Sequence, residues 1–382
     1  MLADQQFLRI PGPTPIPPSV QRAMNQTMIG HRGQEAKDLI QNIRPRLKPI
    51  FGTGQDVMVI AGSGTAGLET AVVNVAQPND EVLVVVTGSF GDRFTKICEA
   101  YQLQTHIINV PWGEAVQPEQ IEAYLKQHPS IKVVFTTFCE TSTGVLNPIK
   151  EIASVVHQLS EALLVVDGVS CIGGVESRMD EWGVDVLITG SQKALMLPAG
   201  LTFVAASERA WKVIKENPRP RFYLNLSSYQ NKLQEDSTPF TPALSLLFGL
   251  DQVLNLIEEE GFSEVVKRHE LMKNMTRSAC KALGVPLLTS DETASPTVTA
   301  IKPGDFDSEQ FRKTVKQEFG LTLAGGQQQL KGKIFRIGHM GYTSPSDVLQ
   351  TISLLEMGLY RIGKEVELGK GVAAAQAVYL NQ

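Results

Sequence analysis

Between Val57 and Ser207 the chain repeats one pattern seven times: a short, almost wholly apolar run rich in β-branched residues. The runs are VMVIA (57–61), EVLVVV (81–86), THIINV (105–110), KVVFTTF (132–138), ALLVVDG (162–168), VDVLITG (184–190) and LTFVAAS (201–207). Successive side chains of a strand point to opposite faces, so a strand with one wet face alternates apolar and polar residues. Most of these runs do not alternate, which predicts strands covered on both faces. The intervening segments TAGLETAVVNVA, QPEQIEAYLKQH and PIKEIASVVHQL carry helical periodicity instead. Strand and helix in turn restrict the chain to an α/β fold, a mostly parallel sheet sandwiched by helices. In such sheets ligands sit beyond the carboxyl ends of the strands, so residues directly after a strand are the first candidates for chemistry.

The pattern changes near residue 215. The stretch KENPRPRFYLNLSSYQNKLQEDSTPFTP (215–242) is rich in Pro, Asn, Ser and charge, and predicts a connecting, surface-lying segment. A long helix pattern, ALSLLFGLDQVLNLIEEEG, follows. Beyond it PTVTAIKP, a helix over 307–319, KIFRIGHMG and a helix over 345–362 predict a smaller C-terminal α+β domain. The closing GKGVAAAQAVYLNQ reads as a tail or a loosely docked helix.

Composition narrows the partners. A net charge of -5 with no Lys/Arg-rich run leaves no basic surface for nucleic acid or an anionic membrane, so a small molecule is the expected partner. The opening MLADQQFLRIPGP has charges and prolines where a signal peptide needs an apolar stretch, and no 18-residue apolar run occurs, which predicts a cytoplasmic protein. Cys98, Cys139, Cys171 and Cys280 are widely spaced and predict buried free thiols rather than metal ligands.

Three features lie just after strands. AGSGTAGLE (61–69) opens a helix, so its backbone NH groups and the helix dipole suit a phosphate. It also contains a literal GxGxxG, but a dinucleotide site needs an acid at the tip of the next strand, and EVLVVV runs into TGSFGD without one. A single-phosphate site is favoured over a nicotinamide site, with a bare tight turn as the third reading. Asp167 ends ALLVVD; an unpaired buried carboxylate is costly, so it either meets a cation or is solvated at the strand end. Lys193 follows VDVLITG. Its stem could pack on apolar neighbours with the head in water, or burial could hold its amine neutral and ready to attack a carbonyl. Together the three fit pyridoxal 5'-phosphate, which offers a phosphate, an aldehyde for a lysine, and a pyridine nitrogen whose proton a buried carboxylate retains.

The order AGSGTAGLE, TGSFGDRF, ETSTG, VVDGVS, GSQKAL and FRIGHMG resembles the class V aminotransferases of PLP fold type I. Within them it is most similar to the alanine/serine:glyoxylate aminotransferases, over essentially the whole chain from LRIPGPTPIPPSV onward. The resemblance implies Lys193 as the Schiff-base lysine and Asp167 as the partner of the pyridine nitrogen. Ser63, Gly64, Thr65 and Gln192 would hold the phosphate. Phe90 would stack on the cofactor ring where the family commonly has Trp, Thr141 would contact its phenolic side, and Val169 would pack on the face away from substrate. Arg336 matches the arginine for the substrate carboxylate, a role that suits a guanidinium fork. Gly12, in the PGP turn, resembles the segment that closes over the substrate. Thr241 in DSTPFTP matches a threonine that reaches the phosphate of the other subunit, and Thr238 lies near where a tyrosine is often found. Phe138 stands where many relatives have a histidine. The implied layout is an N-terminal segment 1–20 over the active site, a large cofactor-binding domain 21–260 and a small domain 261–382, in a homodimer with shared active sites.

The implied activity is ping-pong transfer of an amino group from alanine or serine to glyoxylate. The alternatives are ureidoglycine or phosphoserine transamination, a cysteine desulfurase-like lyase, and a subunit of a soluble hydrogenase-type redox complex. A desulfurase needs a nucleophilic cysteine on a mobile loop, and Cys280 in the helix-like SACKALG is poorly placed for that. A redox subunit needs metal ligands in this chain or in a partner, and the scattered cysteines argue against the first.

Overall fold

The computed structural model describes residues 6–382. Residues 1–5, which begin both the expected N-terminal segment and the stretch read for a signal peptide, lie outside the described residues. In chain order the strands are β1 (Phe7–Arg9), β2 (Val57–Gly62), β3 (Glu81–Val86), β4 (Gln104–Asn109), β5 (Val133–Thr137), β6 (Cys139–Glu140) and β7 (Val145–Leu146). They continue with β8 (Leu163–Asp167), β9 (Val186–Gly190), β10 (Gly200–Ala206), β11 (Val298–Ile301), β12 (Leu321–Gly325) and β13 (Phe335–Gly338).

All seven apolar runs enter one sheet, in the order β2-β10-β9-β8-β5-β3-β4. The strands from β9 to β4 are parallel, and β10 alone runs against its neighbours β2 and β9. The reversal follows from chain length, because the turn from Gly190 to Gly200 is too short to hold the crossover a parallel neighbour requires. Both faces are dry. Leu83, Val85, Val134, Leu164 and Leu187 point into one core, while Val82, Val84, Val133, Leu163 and Val186 point into another. The strand periodicity of two is therefore present, but it sorts apolar residues between two cores rather than between core and water.

The second sheet, β1-β12-β13-β11, belongs to the C-terminal part except for its edge strand. β1 pairs in parallel with β12, so residues 7–9 are tied to a partner over three hundred positions away. The sequence reading contained neither β1 nor β12, which are too short to display a period. It also lacked the helix Gln34–Phe51, where Pro45 and Pro49 stand inside and mask the pattern, and of Phe262–Ala282 it read only the end, SACKALG, as helix-like.

Two expectations are corrected. The stretch 215–242 is not merely a surface connection, because it contains the helix Leu226–Leu233 with Leu226 and Tyr229 buried. Parts of it are tied inward: buried Asn74 accepts from the backbone NH of Leu226 (3.1 Å) and from Arg221 Nε (2.8 Å). The C-terminus is no loose tail either. Helix Lys370–Leu380 buries Gly371 and Ala375 against its neighbours, and its first turn is capped by Glu356, which accepts from Gly369 N (2.8 Å) and Gly371 N (2.7 Å). Among the described residues no helix is long and apolar enough to cross a membrane.

Candidate active site

The carboxyl ends of β2, β8 and β9 meet the N-terminal segment and β13 in one buried region. Lys193 sits in the turn after β9. Ser191 fixes that turn by donating from Oγ to Pro198 O (2.6 Å) while accepting from Leu201 N (3.1 Å). Lys193 is 8% exposed, and its amine donates to the carbonyl of Pro11. Burial pushes its pKa down to about 8, and the nearby charge of Arg336 adds to the shift. Gly12 makes the approach possible. It has φ +90, and a Cβ there would lie 2.4 Å from Lys193 Cδ and 2.9 Å from its Nζ, so no larger residue fits over the lysine.

Asp167, at the end of β8, is not solvated, and among the described residues it has no ion-pair partner. It is buried, its Oδ1 accepts from Val169 N (2.9 Å), and desolvation pushes its pKa up to about 6, with buried Glu140 contributing. Beside it lies the helix Gly64–Val75, capped by Ser63, whose Oγ accepts from Ala66 N (3.4 Å). Val169 packs on Gly64, where a Cβ would meet it at 3.0 Å. Thr65 Oγ1 accepts from Arg93 Nη1 (3.0 Å). Gln192 Oε1 is buried and has no hydrogen-bond partner among the described residues, and a Cβ on Gly190 would fall between it (3.1 Å) and Gly64 (3.4 Å).

Arg336, buried on β13, completes the group. Its Nε and Nη2 donate to Gly325 O (3.0 and 2.7 Å) and its Nη1 to Thr141 O (2.8 Å), so its charge is met by carbonyl dipoles and not by a carboxylate hydrogen bond. Burial pushes its pKa down to about 10. Thr141 also shares a hydrogen bond with Ser170, three residues beyond Asp167, which ties the Asp167 turn to the arginine.

Phe90 is half-buried at the start of helix Ser89–Ala100, with the Arg93 guanidinium over its ring at 4.7 Å. Two residues absent from the sequence reading shape this corner. Arg93 links Phe90 to Thr65. Fully buried Glu140 accepts from Phe90 N (3.0 Å), Gly91 N (3.0 Å) and Ser142 Oγ (2.6 Å), and so clamps the helix start. Glu140 closes an apolar strand region just as Asp167 does, a signal that was legible.

Four positions lie elsewhere. Thr238 and Thr241 line a separate apolar cavity with Tyr223, Tyr229, Phe240 and Leu247. Phe138 packs in the core edge-on to Trp182, with ring centroids 5.9 Å apart. Cys280 is buried in its helix and its thiol is pushed up to about 12, so it offers no ready nucleophile.

The residues fit pyridoxal 5'-phosphate. An orphaned Gln192 amide stands beside a helix N-terminus, where turning the amide presents an NH2 to a phosphate. A buried carboxylate has no cation paired to it among the described residues, and a buried amine is brought close to neutrality. Residues 7–349 match the family model described as aminotransferase class-V. The chain belongs to the class V aminotransferases. A protein named soluble hydrogenase, small subunit, from a Synechococcus species is 40% identical over 99% of this chain and 99% of its own length. The serine-glyoxylate aminotransferase of Arabidopsis thaliana is 35% identical over 97% of this chain and 94% of its own. The solved structure of ureidoglycine-glyoxylate aminotransferase from Bacillus subtilis superposes with a TM-score of 0.92 at 32% identity, covering 100% of both chains. This class V aminotransferase has the PLP fold type I, takes pyridoxal 5'-phosphate as cofactor and moves amino groups between amino acids and oxo acids.

Proposed function

We propose that the enzyme transfers the amino group of a small L-amino acid, alanine or serine, to glyoxylate in a ping-pong cycle. One observation carries the reading: Arg336, buried and with no carboxylate partner among the described residues, lies close enough to Lys193 to depress its pKa, beneath a turn that admits only glycine at position 12. A carboxylate gripped by that guanidinium places a short amino acid at the lysine.

When bound, pyridoxal 5'-phosphate supplies an aldehyde carbon for the amine and a ring that accepts the electrons released at the substrate α-carbon. Ser63, Gly64, Thr65 and Gln192 would hold its phosphate, with Phe90, Thr141 and Val169 around its ring. Asp167 would hold the proton on the pyridine nitrogen. Lys193 would take the α-proton as a neutral amine and return it on the other side of the transfer, which a pKa near 8 permits at neutral pH. Arg336 would fix the plane of the carboxylate, and the turn at Gly12 would exclude water. The reading includes a homodimer in which Thr238 and Thr241 of the partner subunit approach the phosphate; their distance from this chain's own Lys193 group supports that arrangement.

The name of the Synechococcus relative favours a second reading, a subunit of a redox complex. The four cysteines are each buried and unpaired, so cluster ligands would have to come from a partner.

The visible spectrum of the cofactor-loaded protein tests the proposal. Adding L-alanine or L-serine is expected to remove the long-wavelength band, and glyoxylate to restore it. A spectrum insensitive to both donors, or restored by pyruvate and not by glyoxylate, overturns the substrate assignment.

A further inference from the structure

We propose that Glu81, His106 and His128 form a binding site for a divalent transition-metal ion of the zinc type, at the outer edge of the large sheet. The register of the two outermost strands builds it. β3 and β4 pair Glu81 with Gln104 and Leu83 with His106. Residues paired across parallel strands share a face, so Glu81 and His106 are diagonal neighbours on the same side. The crossover helix Pro118–Gln127 lies over that side and ends at His128, its C-cap. Glu81 is the first residue of β3, so the cluster occupies the amino end of the sheet, roughly 17 Å of strand away from the carboxyl edge where Lys193 sits.

One ligand atom from each of the three side chains lies within 4.8 Å of the others, and all three residues are half-buried. His106 Nε2 is 3.1 Å from Glu81 Oε2, and the rings of His106 and His128 are 4.7 Å apart. Zinc bonds of 2.0–2.1 Å in tetrahedral geometry place ligand atoms roughly 3.4 Å apart, so about 1 Å of side-chain rotation closes the set. Two imidazoles and one carboxylate are a zinc donor set that leaves a fourth position for water. The outer layer is present as well. His106 Nδ1 is 3.1 Å from Tyr124 OH, the contact that fixes a metal-bound imidazole by its second nitrogen, and Tyr124 stacks on His128 at 4.6 Å. An ordinary Glu–His pair uses one histidine. The second imidazole turns the pair into a chelate that ties the edge strand β4 to its crossover helix.

Because the ligands are assembled only in the folded chain, the ion stabilises it. The test uses the full-length, tag-free, cofactor-loaded enzyme titrated with zinc by calorimetry, with metal content measured after gel filtration. One zinc per chain and a raised unfolding midpoint are expected. His128→Ala, at the half-buried end of its helix, and the volume-conserving Glu81→Gln should each lose both effects while transaminase activity stays unchanged. Tyr124→Phe should weaken binding about tenfold. Uptake equal in the parent and in His128→Ala, or binding seen only at millimolar zinc, overturns the site.

Discussion

Two regions of the molecule handle charge in opposite ways. On the helix Gln34–Phe51 the cations meet carboxylates: Arg44 pairs with Asp56, Lys48 with Asp56 at 3.1 Å, and Arg46 with Asp251 at 2.8 Å and Glu258 at 2.7 Å. At the carboxyl edge of the large sheet Lys193, Asp167 and Arg336 are more deeply buried, yet among the described residues none of them forms an ion pair. Lys193 rests on the Pro11 carbonyl, Arg336 on those of Gly325 and Thr141, and Asp167 on the Val169 NH. Arg336 lowers the pKa of Lys193, and Lys193 and Asp167 shift each other's, all without pairing. Pairing dissipates charge into stability, whereas burial among dipoles keeps it available at a cost to the fold. The first region behaves as structure and the second as a site waiting for a polar ligand.

The largest expected effect breaks the second region outright. Lys193→Ala removes the amine that moves the proton, and turnover should fall by at least about 10²–10⁴ while the protein still takes up cofactor non-covalently. Steady-state kinetics and the absorption spectrum report the two halves separately. Retention of ordinary turnover would remove Lys193 from the mechanism.

Asp167→Asn sharpens the comparison, because activity and stability should move in opposite directions. The carboxyl pKa rises from 3.8 to about 6 on folding, so the native state holds the proton more tightly than the unfolded chain. Stability of the cofactor-free protein therefore falls as pH rises through that window and stays lower above it. Lys193 acts the other way: its pKa drops from 10.5 to about 8, and stability is regained as pH rises between those values. Near neutrality both penalties are in force. Asn keeps the acceptor for Val169 N and removes the first, so the cofactor-free variant should be about 1–3 kcal/mol more stable at pH 7. The gain should vanish near pH 4, and turnover should drop about 10²–10³. Denaturant unfolding at the two pH values checks the sign; a variant less stable than the parent at pH 7 would show that Asp167 is a structural residue.

The same contrast explains what could be read in the sequence. The seven strands of the large sheet were legible because two-sided burial is written locally, in runs such as EVLVVV. β1 was not, since three residues acquire a strand conformation only by pairing with residues 321–323. Helix Leu226–Leu233 was hidden because its surroundings read as loop, while Arg221 and the NH of Leu226 are held inward by the distant Asn74. At the site, charges at strand ends drew attention to Asp167 and Lys193, and resemblance added Arg336 and Gly12; the structure brings Lys193 under Gly12 and near Arg336. Glu140 and Arg93 stood in motifs already noticed. Their partners, the NH groups of Phe90 and Gly91 and the hydroxyl of Thr65, lie 28 to 50 positions away, where no spacing rule reaches.

A smaller effect is expected where charge is kept and shape is lost. Arg336→Lys retains the cation but not the fork, so it forfeits a charge-assisted hydrogen bond of about 1.5–3 kcal/mol. The specificity constant for the amino donor should fall roughly 10–100-fold, chiefly through KM. An equal loss for a substrate without a carboxylate would mean that Arg336 only buttresses Gly325 and Thr141.

The smallest effect belongs to the paired kind of charge in its most exposed form. Arg178 bridges Glu176 at 2.8 Å and Glu181 at 3.0 Å on the surface, a geometry that by distance alone rivals anything at the site. Water and salt screen it, and fixing three long side chains consumes the little that is gained. Arg178→Ala should therefore leave the unfolding midpoint and the transamination rate unchanged within error. A loss in stability as large as the gain expected of Asp167→Asn would mean that contact distance, and not burial, decides what a charge does in this fold.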